Sequence, residues 1–298
     1  MIHERYIQQH ANNNKVNFMF GERDILLTYV LKILSEKGLL RKLAFKGGTC
    51  LKKTYFGKSG RISTDLDFTS IDDDKNFLKD SMTDIFDQQT HFDIQFQVIK
   101  PRARDNAFRS EIRYTHKYTR GQTYTFQFEV SFREKPILPL QKVPLIEESY
   151  FKPLESEIGK INFLIPCLQK EELLYEKLRA SFQRIRSRDL YDLYKFSERP
   201  FDEELVKSLI VIKCWNVRDP FTPEQLLEKI KTEKYRWEDI TSLVRQPPDK
   251  EEIINKVFSR YSFLTELTGL HQQIVRDSIN HKKKNIVKSL LMELNKSK

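Results

Sequence analysis

Cysteine, tryptophan and glycine are scarce in this chain, and no long uncharged apolar run interrupts it. Cys50, Cys167 and Cys214 are the three cysteines; they lie far apart without metal-ligand spacing, which excludes a disulfide framework and a zinc site and fits a reducing cytoplasm. The opening MIHERYIQQHANNN lacks the apolar core of a signal peptide, and no stretch is apolar enough to span a bilayer, so no membrane partner is expected. Six histidines are scattered without ligand spacing, and ordinary core or surface roles suit them. What is present is a chain of 298 residues, 39% hydrophobic and 32% charged, too apolar for disorder and long enough for two domains. Its formal charge of +10 favours a polyanionic partner, although solubility alone accounts for a charge of that size.

The pattern of elements changes along the chain. Arg23 to Glu36 has helical spacing, as does Asn76 to Asp87. Phe92 to Ile99, Phe108 to His116 and Thr123 to Phe132 alternate apolar and polar residues, as half-exposed antiparallel strands do. Beyond a proline-bearing stretch that ends near Pro166, helical periodicity dominates: Lys170 to Gln183, Arg188 to Ser197, Asp202 to Cys214, Pro223 to Lys231, Lys250 to Leu267 and Leu270 to Asn295. Strands and helices followed by a helical block predict an α+β domain over 1–165 and an α-helical domain over 166–298. The run His281-Lys282-Lys283-Lys284 suits contact with RNA, and better a solvated helix face near the C-terminus.

With only nine glycines in the chain, the adjacent pair Gly47-Gly48 is conspicuous. It follows the apolar Leu43, Ala44 and Phe45, which suit a buried strand, and lets the backbone turn and approach a ligand closely. Thr49 is expected to cap a helix through Leu51 and Tyr55, aiming free N–H groups at a phosphate. In Thr64-Asp65-Leu66-Asp67-Phe68, strand alternation puts Asp65 and Asp67 on one face, where they repel unless a cation lies between them. All-oxygen ligands of that kind favour Mg2+ or Mn2+, with substrate phosphates and water completing the shell. The two features together read as a nucleoside triphosphate (NTP) site.

Further along, the strand over Thr123 to Phe132 places Glu129 opposite to its aromatic face, as a third carboxylate or as an ordinary outward glutamate. Lys177 sits among Leu173, Leu174, Leu178 and Phe182 on a packing face. A buried ammonium there requires a carboxylate or a phosphate, unless the stem packs and the head reaches water. Asp189 and Asp192 share a helix face, where Asp189 also suits the positive helix end and Arg188 suits Asp192. Arg179, Arg184, Arg186 and Arg188 form a cluster able to grip RNA phosphates or to serve as surface residues.

The run Phe45-Lys46-Gly47-Gly48-Thr49, followed by Arg61-Ile62-Ser63-Thr64-Asp65-Leu66-Asp67, resembles the glycine-rich and DxD signature of the DNA polymerase beta-like nucleotidyltransferase superfamily. More closely it resembles the AbiEii/AbiGii abortive-infection toxin family, whose lysine and RDxxD motifs are matched by Glu176-Lys177-Leu178-Arg179-Ala180 and Arg188-Asp189-Leu190-Tyr191-Asp192-Leu193-Tyr194. The resemblance implies a nucleotidyltransferase-like mixed sheet with flanking helices, followed by a helical domain that contributes the last two motifs. It implies Asp65 and Asp67 as metal ligands, with Glu129 as a third acid that holds the metal nearer the attacking hydroxyl or helps remove its proton, and Lys46, Arg61 and Ser63 beside the β and γ phosphates. Lys177 would bind phosphate, and either Asp189 or Asp192 would belong to the active site. The implied reaction moves a nucleoside monophosphate from an NTP to RNA, with the tRNA 3′ end as leading acceptor, and the implied partner is a cognate antitoxin. Two rivals remain open at this point: a transferase acting on protein or a small molecule, and an idle nucleic-acid-binding protein on the same fold.

Overall fold

A computed structural model describes residues 3–72, 74–104, 106–119 and 122–296. The chain falls into two compact units, one of Met1–Pro136, Leu140–Leu168 and Ser242–Gln246, the other of Ile137–Pro139, Gln169–Thr241 and Pro247–Lys298. Among the described residues no helix is long and apolar enough to cross a membrane.

The first unit is built on one mixed sheet. Its strands are β1 (Leu43–Lys46), β2 (Leu66–Ser70), β3 (Thr90–His91), β4 (Ile94–Arg104), β5 (Ala107–Thr115), β6 (Tyr124–Ser131), β7 (Gln141–Val143) and β8 (Ile165–Cys167). They lie in the order β3-β4-β5-β6-β2-β1-β8-β7. β4, β5 and β6 pair antiparallel, β6 runs parallel to β2, and β2 pairs antiparallel with β1. Alternation fixes the faces: on β5, Phe108, Ser110, Ile112 and Tyr114 point inward while Arg109 and Arg113 point out. Phe45, Phe68 and Phe128 meet in the core, with ring centroids 5.1 and 5.3 Å apart, each ring buried. Burial of one such side chain contributes about 1.5–3 kcal/mol.

Helices α1 (Glu4–Asn14), α2 (Phe18–Glu36), α3 (Gly47–Cys50), α4 (Lys75–Phe86) and α5 (Phe151–Ile158) complete this unit. α2 begins five residues before the Arg23 start read from periodicity, because the Asn17 side chain accepts the Phe20 N–H at 2.9 Å and caps the extra turn. Nearly every residue from Gly21 to Leu34 is buried, as befits a helix enclosed on all sides. α1 and α5 were not expected from the sequence; α1 packs so closely on α2 that a Cβ at Gly21 would lie 2.8 Å from Ala11 Cβ.

The second unit is helical: α6 (Lys170–Gln183), α7 (Ser187–Ser197), α8 (Glu203–Asn216), α9 (Pro223–Thr232), α10 (Glu238–Thr241), α11 (Lys250–Tyr261), α12 (Gly269–Arg276) and α13 (Lys284–Lys296). The architecture is thus the expected α+β sheet with flanking helices and a helical block. Two long helices expected here are shorter. α11 gives way to a 3-10 turn over Ser262–Thr265, where Ser262 and Thr265 hydroxyls bond to preceding carbonyls. The span from Leu270 to Asn295 breaks after Arg276, because the Asp277 carboxylate accepts the backbone N–H groups of Lys282 and Lys283 at 3.0 and 2.6 Å. The basic run therefore lies on a pinned loop that leads into α13, rather than on a continuous helix face.

A buried ionic network ties α1 and α2 to Lys53 and to Tyr150, the residue before α5. Lys53 Nζ stands 3.0 Å from Asp24 Oδ1 and donates to Thr28 and Tyr150 hydroxyls, while Asp24 Oδ2 lies 2.9 Å from His10 Nε2. Burial alone would raise the Asp24 carboxyl, but Lys53 and His10 outweigh it and hold the group well below the usual carboxylate range. A depressed folded value means stability that is present above the unfolded value of about 3.9 and lost as pH falls beneath it. The stability of the wild type against equilibrium unfolding should therefore fall steeply below about pH 4. Lys53→Met, which removes the ammonium and leaves the buried carboxylate with His10, should cost roughly 3–5 kcal/mol at neutral pH. An unchanged unfolding midpoint for that variant would remove the network from the stability of the unit.

Candidate active site

In the first unit the glycine pair and the acidic pair meet. Gly47 has φ of +79°, a left-handed conformation that disfavours any Cβ, and a Cβ built there would lie 2.2 Å from Asp67 Oδ2 and 2.7 Å from Asp67 Cβ. The Asp67 carboxylate thus rests on the bare backbone of the turn. A Cβ on Gly48 would fall 2.5 Å from Arg61 Nη2 and 2.9 Å from Ser63 Oγ, so those two buried side chains converge over the second glycine. Thr49 does not cap the helix. Lys46 occupies that position, and the Thr49 hydroxyl instead donates to the Asp65 carbonyl, tying the glycine turn to the acidic segment. Asp65 Oδ1 accepts the Gln127 N–H at 3.4 Å.

Register aligns these groups with others. Lys46 stands opposite Asp67, Asp67 beside Glu129, and Glu129 opposite Arg109. Directly paired residues share a sheet face, so one row crosses β1, β2, β6 and β5 in the order lysine, aspartate, glutamate, arginine. Glu129 is held by Arg109 through two bonds, Nε to Oε2 at 2.8 Å and Nη2 to Oε1 at 3.0 Å. Arg109 was not anticipated. Its outward position is visible in the alternation of β5, but its partner becomes visible only once β5 and β6 are in register. Among the described residues no group of three or more His, Cys, Asp and Glu side chains is arranged to hold a metal ion.

The second unit holds the remaining expected residues. Lys177 Nζ, on α6, lies 2.7 Å from Asp192 Oδ2 and 3.4 Å from Asp189 Oδ1, both on α7 and all three buried. Burial of the ammonium thus has its anions, and both are carboxylates. Arg184 grips Asp189 by two bonds, at 2.7 and 3.1 Å, and Arg179 donates to the Tyr175 hydroxyl at 2.8 Å. Arg186 is exposed at the start of α7, and Arg188 is half-buried in its first turn. A second buried pair escaped sequence reading: Glu172, on α6, accepts from Lys213 at 2.7 Å and from the Ile137 and Leu138 N–H groups at 3.0 and 3.1 Å. Glutamate in the first turn of a helix is common enough that nothing in the local pattern marks it.

A family model described as nucleotidyl transferase AbiEii toxin, type IV toxin–antitoxin system, matches residues 29–261. The chain belongs to that family and is a nucleotidyltransferase toxin of a type IV toxin–antitoxin system. Among solved structures it is similar to MenT4, a nucleotidyltransferase toxin from Mycobacterium tuberculosis H37Rv, with 24% identity, 99% of each chain covered and a TM-score of 0.82. That likeness establishes the fold. No curated protein matches the chain at a significant level.

Lys177→Met keeps most of the stem but removes the buried ammonium that Asp189 and Asp192 share, so the loss should be roughly 3–5 kcal/mol. Adding Asp192→Asn should restore a large part of it, since a neutral amide needs no counter-charge. Denaturant unfolding of the single and double variants checks this; equal midpoints for wild type and Lys177→Met would show that the ammonium contributes nothing to the fold.

Proposed function

We propose that this AbiEii-family toxin transfers a nucleoside monophosphate from an NTP to RNA, with the 3′ end of tRNA as acceptor, in a reaction that depends on Mg2+ or Mn2+. The observation that carries the proposal is the Gly47–Asp67 contact, which brings a carboxylate against a turn built for phosphate. Asp65 and Asp67 supply hard oxygen donors, and magnesium is often held by one or two carboxylates with phosphates filling the remaining positions, so the donor set suits it. When bound, the cation neutralises charge on the triphosphate oxygens.

The chain's own groups do the rest. Backbone N–H groups of the Gly47-Gly48 turn point at phosphate oxygens, and Arg61 and Ser63 add charge-assisted and hydroxyl donors to the β and γ phosphates. Lys46, opposite Asp67, limits repulsion between the carboxylate and the incoming triphosphate. The acceptor 3′ oxygen attacks the α phosphorus, the bond from that phosphorus to the bridging oxygen breaks, and pyrophosphate leaves. Glu129 takes the hydroxyl proton after release from Arg109. Alignment and charge neutralisation then provide most of the acceleration. A phosphate role for Lys177 requires it to exchange one aspartate oxygen for a phosphate oxygen. Work in the cytoplasm, beside a cognate antitoxin, fits this chemistry.

The test is incubation of purified protein and Mg2+ with each α-labelled NTP, total RNA and total protein. Label is expected in RNA of tRNA size, and label confined to protein or small molecules would defeat the acceptor assignment. Asp65→Ala and Asp67→Ala should each lower transfer by at least about a hundredfold while unfolding near the wild-type midpoint. Near-normal transfer by either variant would contradict the role given to the carboxylates.

A further inference from the structure

Beyond Glu129 the charged row continues in a way the reaction above does not use. Arg109 stands opposite Arg102 of β4, so two exposed arginines are paired across neighbouring strands. A bulge creates this pairing. Ile99 lies opposite Glu111, and an uninterrupted ladder would next place Lys100 at Ser110 and Pro101 at Arg109. The register shifts between Ile99 and Arg102 instead, with Lys100 at φ of +48°, and Arg102 takes the place opposite Arg109.

Like charges directly opposed weaken a sheet by up to about 1 kcal/mol. Glu129 is committed to Arg109 by both oxygens, and the Arg109 side chain remains 65% exposed. Arg113 lies farther along the same face of β5, beyond Glu111, with its guanidinium bonded to Gln97 at 3.0 Å. With strands about 4.8 Å apart, Arg109 and Arg102 lie about 10 and 14 Å along the row from Asp67, within reach of the last nucleotides of a strand that ends there. Arg102, together with the Nη1 side of Arg109 that Glu129 does not engage, matches the two free oxygens of a phosphodiester, and such an anion would relieve the repulsion. The row offers charge and little that reads bases, which suits the backbone of an RNA.

We propose that Arg102 and Arg109, with Arg113 beyond them, hold the phosphodiester backbone of the acceptor RNA as it leads to Asp67. The assignment rests on the RNA-acceptor reading given above. What favours these arginines is their place on the row that leads to Asp67.

The experiment measures the affinity of bulk tRNA across salt concentration for wild type and for Arg102→Gln/Arg113→Gln, which leaves the Arg109–Glu129 pair in place. The variant should bind more weakly, with a salt slope smaller by about 1.4, since each single-strand phosphate contact contributes about 0.7. NTP affinity should be unchanged, and Arg102→Gln alone should unfold at or above the wild-type temperature because an opposed charge is gone. A purely structural arginine would lower that temperature. Parallel slopes overturn the proposal even if RNA is labelled, and so does failure of the wild type to bind tRNA. A flatter slope in the variant, with wild-type label confined to protein, keeps the binding surface and defeats only the acceptor reading.

Discussion

The contact between Gly47 and Asp67 is the constraint on which the rest of the site depends. Only a residue without a Cβ leaves room for the aspartate, and only a left-handed turn sends β1 into α3 at that point. Once Asp67 is seated there, the antiparallel pairing of β1 with β2 puts Lys46 beside it, and the parallel pairing of β2 with β6 adds Glu129. Thr49 and Gly48 extend the same turn, the first to the Asp65 carbonyl and the second to Arg61 and Ser63. Glycine, hydroxyl, cation and carboxylate are therefore parts of one backbone arrangement, not separate recruits to a cleft.

Buried charge recurs around this framework. Lys53 with Asp24, Lys177 with Asp189 and Asp192, and Lys213 with Glu172 each place an ammonium and carboxylates out of water. Such sets add little net stability over apolar packing, but a broken one leaves a stranded ion. They tolerate few alternative packings. In the second unit this fixes α6 on α7 through Lys177 and α6 on α8 through Lys213.

The parts of the candidate site that are legible in the chain carry local signals. The Gly47-Gly48 pair and the leucine-flanked Lys177 need only neighbours in sequence, and the helices α6 and α9 follow their apolar spacing almost residue for residue, whereas the strand expected from Thr64 begins only at Leu66 and leaves Asp65 just before it. What escaped depends on distant partners. Arg109 cannot be matched to Glu129, nor Arg102 to Arg109, without the register and the bulge. Thr49 misled because a threonine after two glycines looks like a cap, whereas the helix starts at Gly47 and the hydroxyl is drawn to Asp65. Periodicity predicts helix across the loop at Asp277 because a side chain that accepts two later N–H groups leaves no mark on it.

The central claim is that the bare turn at Gly47 builds the metal–nucleotide site through Asp67. Mn2+ bound together with a non-hydrolysable NTP analogue, followed by electron paramagnetic resonance, tests it in Gly47→Ala and Gly38→Ala. Both glycines have positive φ, +79° and +74°, but a Cβ on Gly38 meets nothing within 4 Å. The account predicts that joint binding weakens by about tenfold or more, some 1.4 kcal/mol, in Gly47→Ala and stays at the wild-type level in Gly38→Ala. Equal affinity in wild type and both variants would contradict it.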